Sequence, residues 1–246
     1  MADLPDLPPL AGATWPEIER SSRQLLVLPL GSTEQHGPHL PLDTDTVIAA
    51  ALAQHVHERF PQVGLAPAMP YGAAGEHKKF PGTLSIGTEA LTAVLVKFVR
   101  HASWSWRHVL VINGHGGNIE ALAAATELMR FEGRSMTVQH AASGGDRADP
   151  HAGYRETSLM LHLAPTAVRL DLAEAGNTQS LEDLLPQLRS GGVRSVSPNG
   201  ILGDPAGSNS AEGRRIFKQM TARVIAHVRH LLTGQGATPA DRLITP

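Results

Sequence analysis

The chain has 246 residues, of which 41% are hydrophobic and 18% are charged, and its formal net charge is -2. This length and composition suit one globular domain with a core of ordinary size, and the near-neutral charge gives no general attraction to phosphate backbones. We therefore expect a single domain over residues 1–246, with about the first 20 residues and residues 234–246 peripheral. We expect no nucleic-acid partner.

The sequence contains 13 histidines but no cysteine. Disulfides, thiolate ligands and a cysteine nucleophile are therefore excluded, and any metal must be bound by imidazole and carboxylate groups. Residues 1–15 are acidic and rich in proline, without the basic and apolar segments of a secretion signal, and no apolar run reaches the length of a membrane span. These features predict a cytoplasmic protein without a membrane partner.

Short apolar runs alternate along the chain with segments whose apolar residues recur at helical spacing. The predicted strands cover residues 25–29, 64–67, 109–112 and 135–140. The predicted helices cover residues 44–60, 88–104, 118–132, 155–163, 181–188 and 210–232, with Thr88 and Asn118 as N-cap residues. Residues 170–209 are otherwise predicted to form an elaborated loop region. This alternation predicts an α/β fold in which helices cover both faces of a mostly parallel sheet, with ligands bound beyond the carboxyl ends of the strands.

A first polar cluster, GSTEQHGPHLPLDTD at residues 31–45, directly follows the first predicted strand. Glu34 and His36 are two residues apart, so in an extended segment their side chains lie on the same side. Asp45 returns at the start of the next predicted helix, which allows all three side chains to converge. The alternative is a polar loop in which an Asp or Thr side chain merely caps that helix.

A second cluster, NGHGGN at residues 113–118, follows the third predicted strand. Its glycines allow a sharp turn that places His115 at the strand end, close to a helix N-terminus. The spacing matches neither common nucleotide-binding loop, so we do not interpret it as one.

The third cluster is DPHAGYRE at residues 149–156. His151 lies in the loop, and Glu156 lies in the first turn of the following helix, where its carboxylate can point to the edge of the sheet. The alternative is that Glu156 only stabilises the helix start, as any acidic residue there does.

These clusters together offer imidazole and carboxylate ligands but no sulfur, a combination that suits Zn, Fe(II) or Mn. Two such ions lower the pKa of a bridging water and polarise a carbonyl, which allows amide hydrolysis without a side-chain nucleophile. Asp45 is the natural bridging ligand because a carboxylate has two oxygens to share.

Four motifs in this order, GSTEQHGPHLPLDTD, EHKKFPGTLSIGTEAL, NGHGGN and HAGYRETS, resemble the successive motifs of the creatininase family, and the resemblance spans residues 28–161. It implies a three-layer α/β/α fold with two divalent metal ions, Zn, Fe(II) or Mn, at the strand ends. It also implies a homo-oligomer, either a hexamer or another ring-like assembly. Carried over by position, the metal ligands are Glu34, His36, Asp45 and His115, with Asp45 bridging.

Two departures from creatininase itself affect the expected substrate and ligands. Creatininase has a carboxylate two residues after the histidine of its third motif, where this chain has Gly117, and we expect Glu156 to replace it as a metal ligand. Creatininase also places tryptophans around its substrate, whereas residues 144–156 contain none. Creatinine is therefore a poor candidate substrate.

Residues 176–217 resemble the branch of the family that acts in the mycofactocin system. This resemblance implies a peptidase that releases the modified C-terminal dipeptide, derived from Val and Tyr, from a precursor peptide. The alternatives are hydrolysis of creatinine or of a formamide-type small molecule and, in a different class, a non-catalytic scaffold stabilised by metal.

The expected roles in amide hydrolysis follow from these positions. We expect His151 to transfer a proton to the leaving amine, with Glu156 as a further catalytic carboxylate, and Asn118 to stabilise the oxyanion together with backbone amides near Gly116. The expected substrate-binding residues are Glu76, His77, Gly116 and Gly117.

Overall fold

The computed structural model describes residues 6–141 and 149–233, which form a sheet of four strands surrounded by helices. The strands are β1 (Leu25–Leu30), β2 (Gly64–Leu65), β3 (His108–Asn113) and β4 (Met136–His140). The helices are α1 (Trp15–Arg20), α2 (Thr44–Arg59), α3 (Gly87–Ala102), α4 (Ile119–Phe131), α5 (Tyr154–Leu163), α6 (Leu181–Gly191), α7 (Val193–Val196) and α8 (Ser210–Leu232).

The four strands pair in the order β2-β1-β3-β4, and every pairing is parallel. In the register, Leu26 lies opposite Val109, which in turn lies opposite Met136. The chain leaves β1 for β2 on one side and later returns to place β3 on the other side. Strand order therefore reverses at β1, and the crevice at the carboxyl ends of β1 and β3 is where such sheets bind ligands.

Each face of the sheet is covered by its own layer of helices. Side chains such as Val27 and Leu110 point to one face and pack with α2, α5 and α8, whereas Leu28 and Val111 point to the other face and pack with α3 and α4. The two central strands, β1 and β3, are therefore apolar on both faces, which explains their continuous apolar sequences. Burial of each such aliphatic side chain contributes about 1.5–3 kcal/mol. The predicted three-layer α/β/α fold is confirmed.

Most predicted elements are present, with differences that have simple causes. The second strand ends at Leu65, two residues early, since Pro67 has no N–H to donate. The helix expected to be capped by Thr88 begins at Gly87 with Ile86 as its N-cap residue, so that capping prediction is wrong by two residues. Helix α1 was not predicted, although Thr14 and Glu17 have the spacing of a capping box and the Thr14 N–H donates to Glu17 Oε2 at 2.6 Å.

Some predictions concern residues outside the described ranges. They are the peripheral position of the tail at 234–246, the structure of the first five residues, and residues 144–148 of the loop before the third cluster. Among the helices in the described ranges, none is long and apolar enough to cross a membrane.

Candidate metal centre

The three polar clusters converge at the carboxyl edge of the sheet. The first follows Leu30 at the end of β1, the second follows Asn113 at the end of β3, and the third comes after β4. The Gly114 N–H donates to the Leu30 carbonyl at 2.8 Å, which joins the first two loops directly. A Cβ atom at Gly114 would overlap the carbonyl oxygen of Asp45, so glycine is needed for the loop after β3 to lie against the start of α2.

One candidate metal position lies among Glu34, Asp45 and His115, which are 0%, 2% and 5% exposed. His115 Nε2 lies 3.1 Å from Glu34 Oε2, and His115 Nδ1 lies 3.3 Å from Asp45 Oδ2. One atom from each residue can be chosen so that all three lie within 4.8 Å of one another. This is the spacing expected of ligands around a single ion.

A second candidate position lies among His36, Asp45 and Glu156. His36 Nε2 lies 3.3 Å from Asp45 Oδ1 and 4.0 Å from Glu156 Oε2. The two oxygens of Asp45 therefore face different histidines, His36 and His115. Ser32 Oγ donates to Asp45 Oδ2 at 2.7 Å and helps to hold the carboxylate in this orientation.

The orientation of His36 is set by its own loop. Its Nδ1 lies 3.1 Å from the backbone carbonyl oxygen of Glu34. A carbonyl can only accept, so Nδ1 carries the hydrogen and Nε2 is left unprotonated in the neutral ring, facing Asp45. Metal-binding histidines commonly donate from the opposite ring nitrogen in this way.

Two further buried histidines, His77 and His151, complete the cluster. His77 Nε2 lies 3.3 Å from Glu34 Oε1, and His151 Nδ1 lies 3.7 Å from the same oxygen. The His151 ring centre is 4.4 Å from that of His36 and 4.6 Å from that of His77. Glu34, His36 and His151 form a third group with atoms close enough to share an ion.

Burial and charge shift the titration of the whole cluster. Burial raises the pKa of the Glu34 and Glu156 carboxyls, because the charged form loses its hydration. Burial opposes charge on His36 as well, but the neighbouring Asp45 carboxylate raises the pKa of His36 to about 10. Asp45 in turn has a pKa held well below its usual value, against the effect of burial, by the positive charge of His36. Without metal, protons on groups such as His36 therefore offset the negative charge of the buried carboxylates.

The residues fit a pair of bound cations. Both Glu34 oxygens are buried and neither accepts a hydrogen bond of normal geometry from the described residues. A buried carboxylate without donors is costly unless a cation compensates it. The donor set of imidazole and carboxylate groups, arranged around a shared Asp45, suits two divalent ions with mixed nitrogen and oxygen ligands.

The space beside Gly117 is occupied by Glu76. A Cβ atom at Gly117 would come within 2.5 Å of Glu76 Oε1, which lies 3.4 Å from His115 Nε2. Glu156 lies instead on the His36 side of the cluster. Glu156 is grouped there with His36 and Asp45, and its expected role as the replacement metal ligand stays a prediction. A different segment, the turn Gly75–His77, brings a second carboxylate, that of Glu76, beside Gly117.

Asn118 is placed differently from its expected role. Its Nδ2 donates to the Gly31 carbonyl and to Asn113 Oδ1, both at 3.0 Å, and its Oδ1 accepts from the Ala73 N–H at 2.8 Å. Both amide hydrogens are used, so Asn118 holds loops together and has no hydrogen left for an oxyanion. It precedes α4 but makes no capping hydrogen bond with its side chain, because the oxygen that would accept such a bond accepts from the Ala73 N–H instead. Gly116, in contrast, is exposed with open space above it.

Sequence reasoning missed two residues that support the cluster, Ser32 and Gln35. Both belong to the first motif, and Gln35 is 5% exposed and lies between the two candidate ligands Glu34 and His36. A polar residue between two ligands in an extended segment points away from the metal, into the surrounding structure. That alternation is the signal that could have identified Gln35.

A cavity of about 420 Å³ opens beside the cluster. His115 and Glu156 are among the residues that line it, together with the apolar side chains of Ile48 and Leu159. Arg155 adds a cationic side chain, whose pKa burial lowers somewhat. The cavity therefore combines an apolar surface with polar groups next to the candidate ligands, as ligand-binding sites commonly do.

Comparison with known proteins identifies the family of the chain and supports the fold. The family model described as Creatininase: Creatinine amidohydrolase matches residues 11–228. The mycofactocin precursor peptide peptidase of Mycobacterium tuberculosis (strain CDC 1551 / Oshkosh) is 48% identical over 234 residues, covering 92% of each chain. The protein of the same name from Mycolicibacterium smegmatis is 51% identical over 211 residues, covering 81% of this chain and 85% of the relative. A crystal structure of creatinine amidohydrolase (creatininase) has the same fold, with a TM-score of 0.75 and 24% identity over 94% of this chain and 98% of that one. The chain belongs to the creatininase family.

Proposed function

We propose that this protein is a metal-dependent peptidase that releases the modified C-terminal dipeptide, derived from Val and Tyr, from a mycofactocin precursor peptide. The observation that carries the proposal is the sharing of Asp45 between two groups of candidate ligands, an arrangement suited to hydrolysis of an amide. Relatives that carry the name of mycofactocin precursor peptide peptidase match most of the chain at about half identity, which supports the choice of substrate.

The proposed metal sites use the two groups that share Asp45. Glu34, Asp45 and His115 would hold one divalent ion, and His36, Asp45 and Glu156 would hold the other. Zn, Fe(II) and Mn all accept these ligands. When bound, such ions supply a Lewis acid for the scissile carbonyl and lower the pKa of the attacking water.

The proposed proton transfers use His151. Its ring is buried, and burial together with the charge of His36 lowers its pKa to about 4, so it is neutral near pH 7. A neutral imidazole beside the cluster can accept the proton of the attacking water and pass it to the leaving amine as the C–N bond breaks. The Glu34 carboxylate, 3.7 Å from Nδ1, would stabilise the ring while it carries that proton.

The proposed substrate contacts lie on the open side of the cluster. Gly116 is exposed, and its backbone N–H is a candidate donor to the oxyanion. Glu76, whose side chain is one-third exposed, and Gly117 beside it line the same side. His77 is buried against Glu34, so we now propose that it supports the cluster and makes no direct contact with the peptide. The adjoining cavity has the volume of sites that bind small ligands, which suits a compact dipeptide product.

The test is to incubate metal-loaded protein with a precursor peptide already modified at its C-terminal Val-Tyr and to follow cleavage by mass spectrometry. We expect release of the dipeptide product, its loss after chelation of the metal, and its return when metal is added back. The unmodified peptide and the His115→Ala variant are the matched controls, and the variant should lose metal and activity together while remaining folded. Intact peptide with both metals bound would contradict the proposal and would favour small amides or formamides as substrates.

We also propose that the chain forms a homo-oligomer. Trp104, just after α3, and Phe131, at the end of α4, are each 85% exposed, and Trp15 is 74% exposed. Large apolar side chains that remain exposed in this way often mark contacts between subunits. Light scattering on the purified protein should give a multiple of the monomer mass, and a monomer at micromolar concentration would contradict this.

A further inference from the structure

The side chain of Gln35 lies between His77 and His151. Its Nε2 is 2.8 Å from His77 Nδ1, 3.0 Å from His151 Nε2 and 2.9 Å from the backbone carbonyl oxygen of Gly200. An amide nitrogen has only two hydrogens for these three neighbours. The choice among them determines which nitrogen of each ring carries a hydrogen.

The orientation of the Gln35 amide is determined by two backbone groups. Its Oε1 accepts from the Gly37 N–H at 2.9 Å, and its Nε2 donates to the Gly200 carbonyl at 2.9 Å. Rotating the amide by 180° would place oxygen against oxygen and nitrogen against nitrogen. The orientation is therefore unambiguous, and one hydrogen of Nε2 is committed to Gly200.

The backbone of Gln35 determines the hydrogen on His151. The Nε2 atom of His151 lies 2.8 Å from the Gln35 carbonyl oxygen, which can only accept. His151 Nε2 therefore carries a hydrogen. In the neutral ring, Nδ1 is left unprotonated and faces Glu34 Oε1 at 3.7 Å.

The remaining hydrogen of the Gln35 amide then determines the state of His77. It cannot go to His151 Nε2, which is itself a donor, so it goes to His77 Nδ1. That nitrogen must be an acceptor without hydrogen. His77 therefore carries its hydrogen on Nε2, which faces Glu34 Oε1 at 3.3 Å.

We propose that Gln35 is a positioning residue that gives two neighbouring histidines different functions: His77 presents an N–H to Glu34, and His151 presents an unprotonated Nδ1. His77 Nε2 lies 3.3 Å from Glu34 Oε1, so its N–H is directed to the carboxylate without forming a hydrogen bond of normal geometry. His151 is then the member of this pair with a free nitrogen directed into the cluster. The catalytic consequence, that His151 and not His77 accepts the proton, rests on the proposed function, whereas the hydrogen positions do not.

The test observes the hydrogen positions directly, by nitrogen NMR of the imidazole rings in zinc-loaded protein labelled with ¹⁵N-histidine. The resonances are assigned with His77→Gln and His151→Gln variants. We expect both wild-type rings to carry hydrogen on Nε2 and to have an unprotonated Nδ1. In Gln35→Glu, the side chain can no longer donate, so the hydrogen of His77 should move to Nδ1 while His151 keeps its own on Nε2.

Gln139 provides a matched control, because its Oε1 lies 3.2 Å from Nδ1 of the remote His227. Gln139→Glu should leave the His77 and His151 resonances unchanged. Gln35→Met, which removes the amide at similar length, should leave His77 as a mixture of both tautomers and lower kcat by about 10- to 100-fold, with KM much less affected. A hydrogen on His77 Nδ1 in the wild-type protein, or an unchanged His77 in Gln35→Glu and Gln35→Met, would overturn the proposal. The NMR measurement needs no peptide, so it stands even when the proposed substrate is wrong.

Discussion

Replacement of Asp45 by asparagine tests whether one carboxylate serves two metal positions. The asparagine side chain would keep the size of the aspartate but would replace one oxygen by an amide NH₂ group. Since Oδ1 faces His36 and Oδ2 faces His115, each at 3.3 Å, the change removes a charged ligand from both positions at once. Replacement of Glu156 by glutamine should affect only the position beside His36.

The size of the metal-dependent shift in melting temperature follows from the number of metal positions that each variant loses. An ion present at 100 times its dissociation constant stabilises the folded protein by about 2.7 kcal/mol, so two independent ions contribute about 5.4 kcal/mol. For a chain of this size, 1 kcal/mol shifts the melting temperature by about 2–4 °C. Saturating metal should therefore raise the melting temperature of the wild type by roughly 10–20 °C, that of Glu156→Gln by about half as much, and that of Asp45→Asn by almost nothing.

The assay is differential scanning fluorimetry with and without metal, paired with metal analysis of the desalted protein. Comparing each variant with its own metal-free form removes the loss of stability that Asp45→Asn causes by itself, when His36 and His115 lose their counter-charge. Asp43→Asn is the matched control, because Asp43 is exposed and lies two residues earlier at the start of α2. A full metal-dependent shift in Asp45→Asn, or two bound ions per chain of that variant, would refute the bridging geometry.

Three further predictions concern neighbours of the same site. His151→Ala should retain both ions in metal analysis but lose about 100- to 10,000-fold in kcat, and loss of metal would instead indicate that His151 is a ligand. Glu76→Gln should weaken metal binding, measured by titration with a competing chelator, or activity, measured by the peptide assay, by about 10- to 100-fold. Glu120→Gln, on the exposed start of α4, should change neither quantity. In the metal-free protein the pKa of His36 is raised to about 10, so near pH 8 a metal must displace a proton from Nε2. Metal affinity should therefore rise as the pH is raised towards the pKa of His36, and calorimetry in buffers of different ionisation enthalpy should show that protons are released on binding. A metal affinity that does not depend on pH would contradict this.

The sequence predicts the sheet well because its two central strands, β1 and β3, are buried on both faces. The runs LLVLP and VLVI have no polar face, which is typical of central parallel strands and distinguishes them from amphipathic helices. The elements that escaped prediction are short. Helix α1 has six residues, none of them buried, and depends on local capping; α7 has four residues. Neither carries an apolar periodicity long enough to be recognised.

The candidate site was predictable where its residues lie within one motif and follow a strand. Glu34 and His36 are two residues apart, and His115 comes two residues after the end of β3, so their convergence follows from the parallel topology. The position of Glu76 was not predictable in the same way. It depends on a turn after β2 that reaches the space beside Gly117, a contact between residues about 40 apart in the chain. Hydrogen-bond networks such as that of Gln35 likewise depend on tertiary contacts that no spacing encodes.

The geometry of the candidate metal centre depends on glycines as much as on ligands. Asp45 lies between two histidines because the start of α2 is packed directly against the loops that follow β1 and β3. A Cβ atom at Gly31 would overlap Thr46, and one at Gly114 would overlap the Asp45 carbonyl oxygen. With any larger residue at either position, α2 would have to move away from the sheet edge. The Asp45 carboxylate would then no longer lie 3.3 Å from both histidines, even though every ligand was still present.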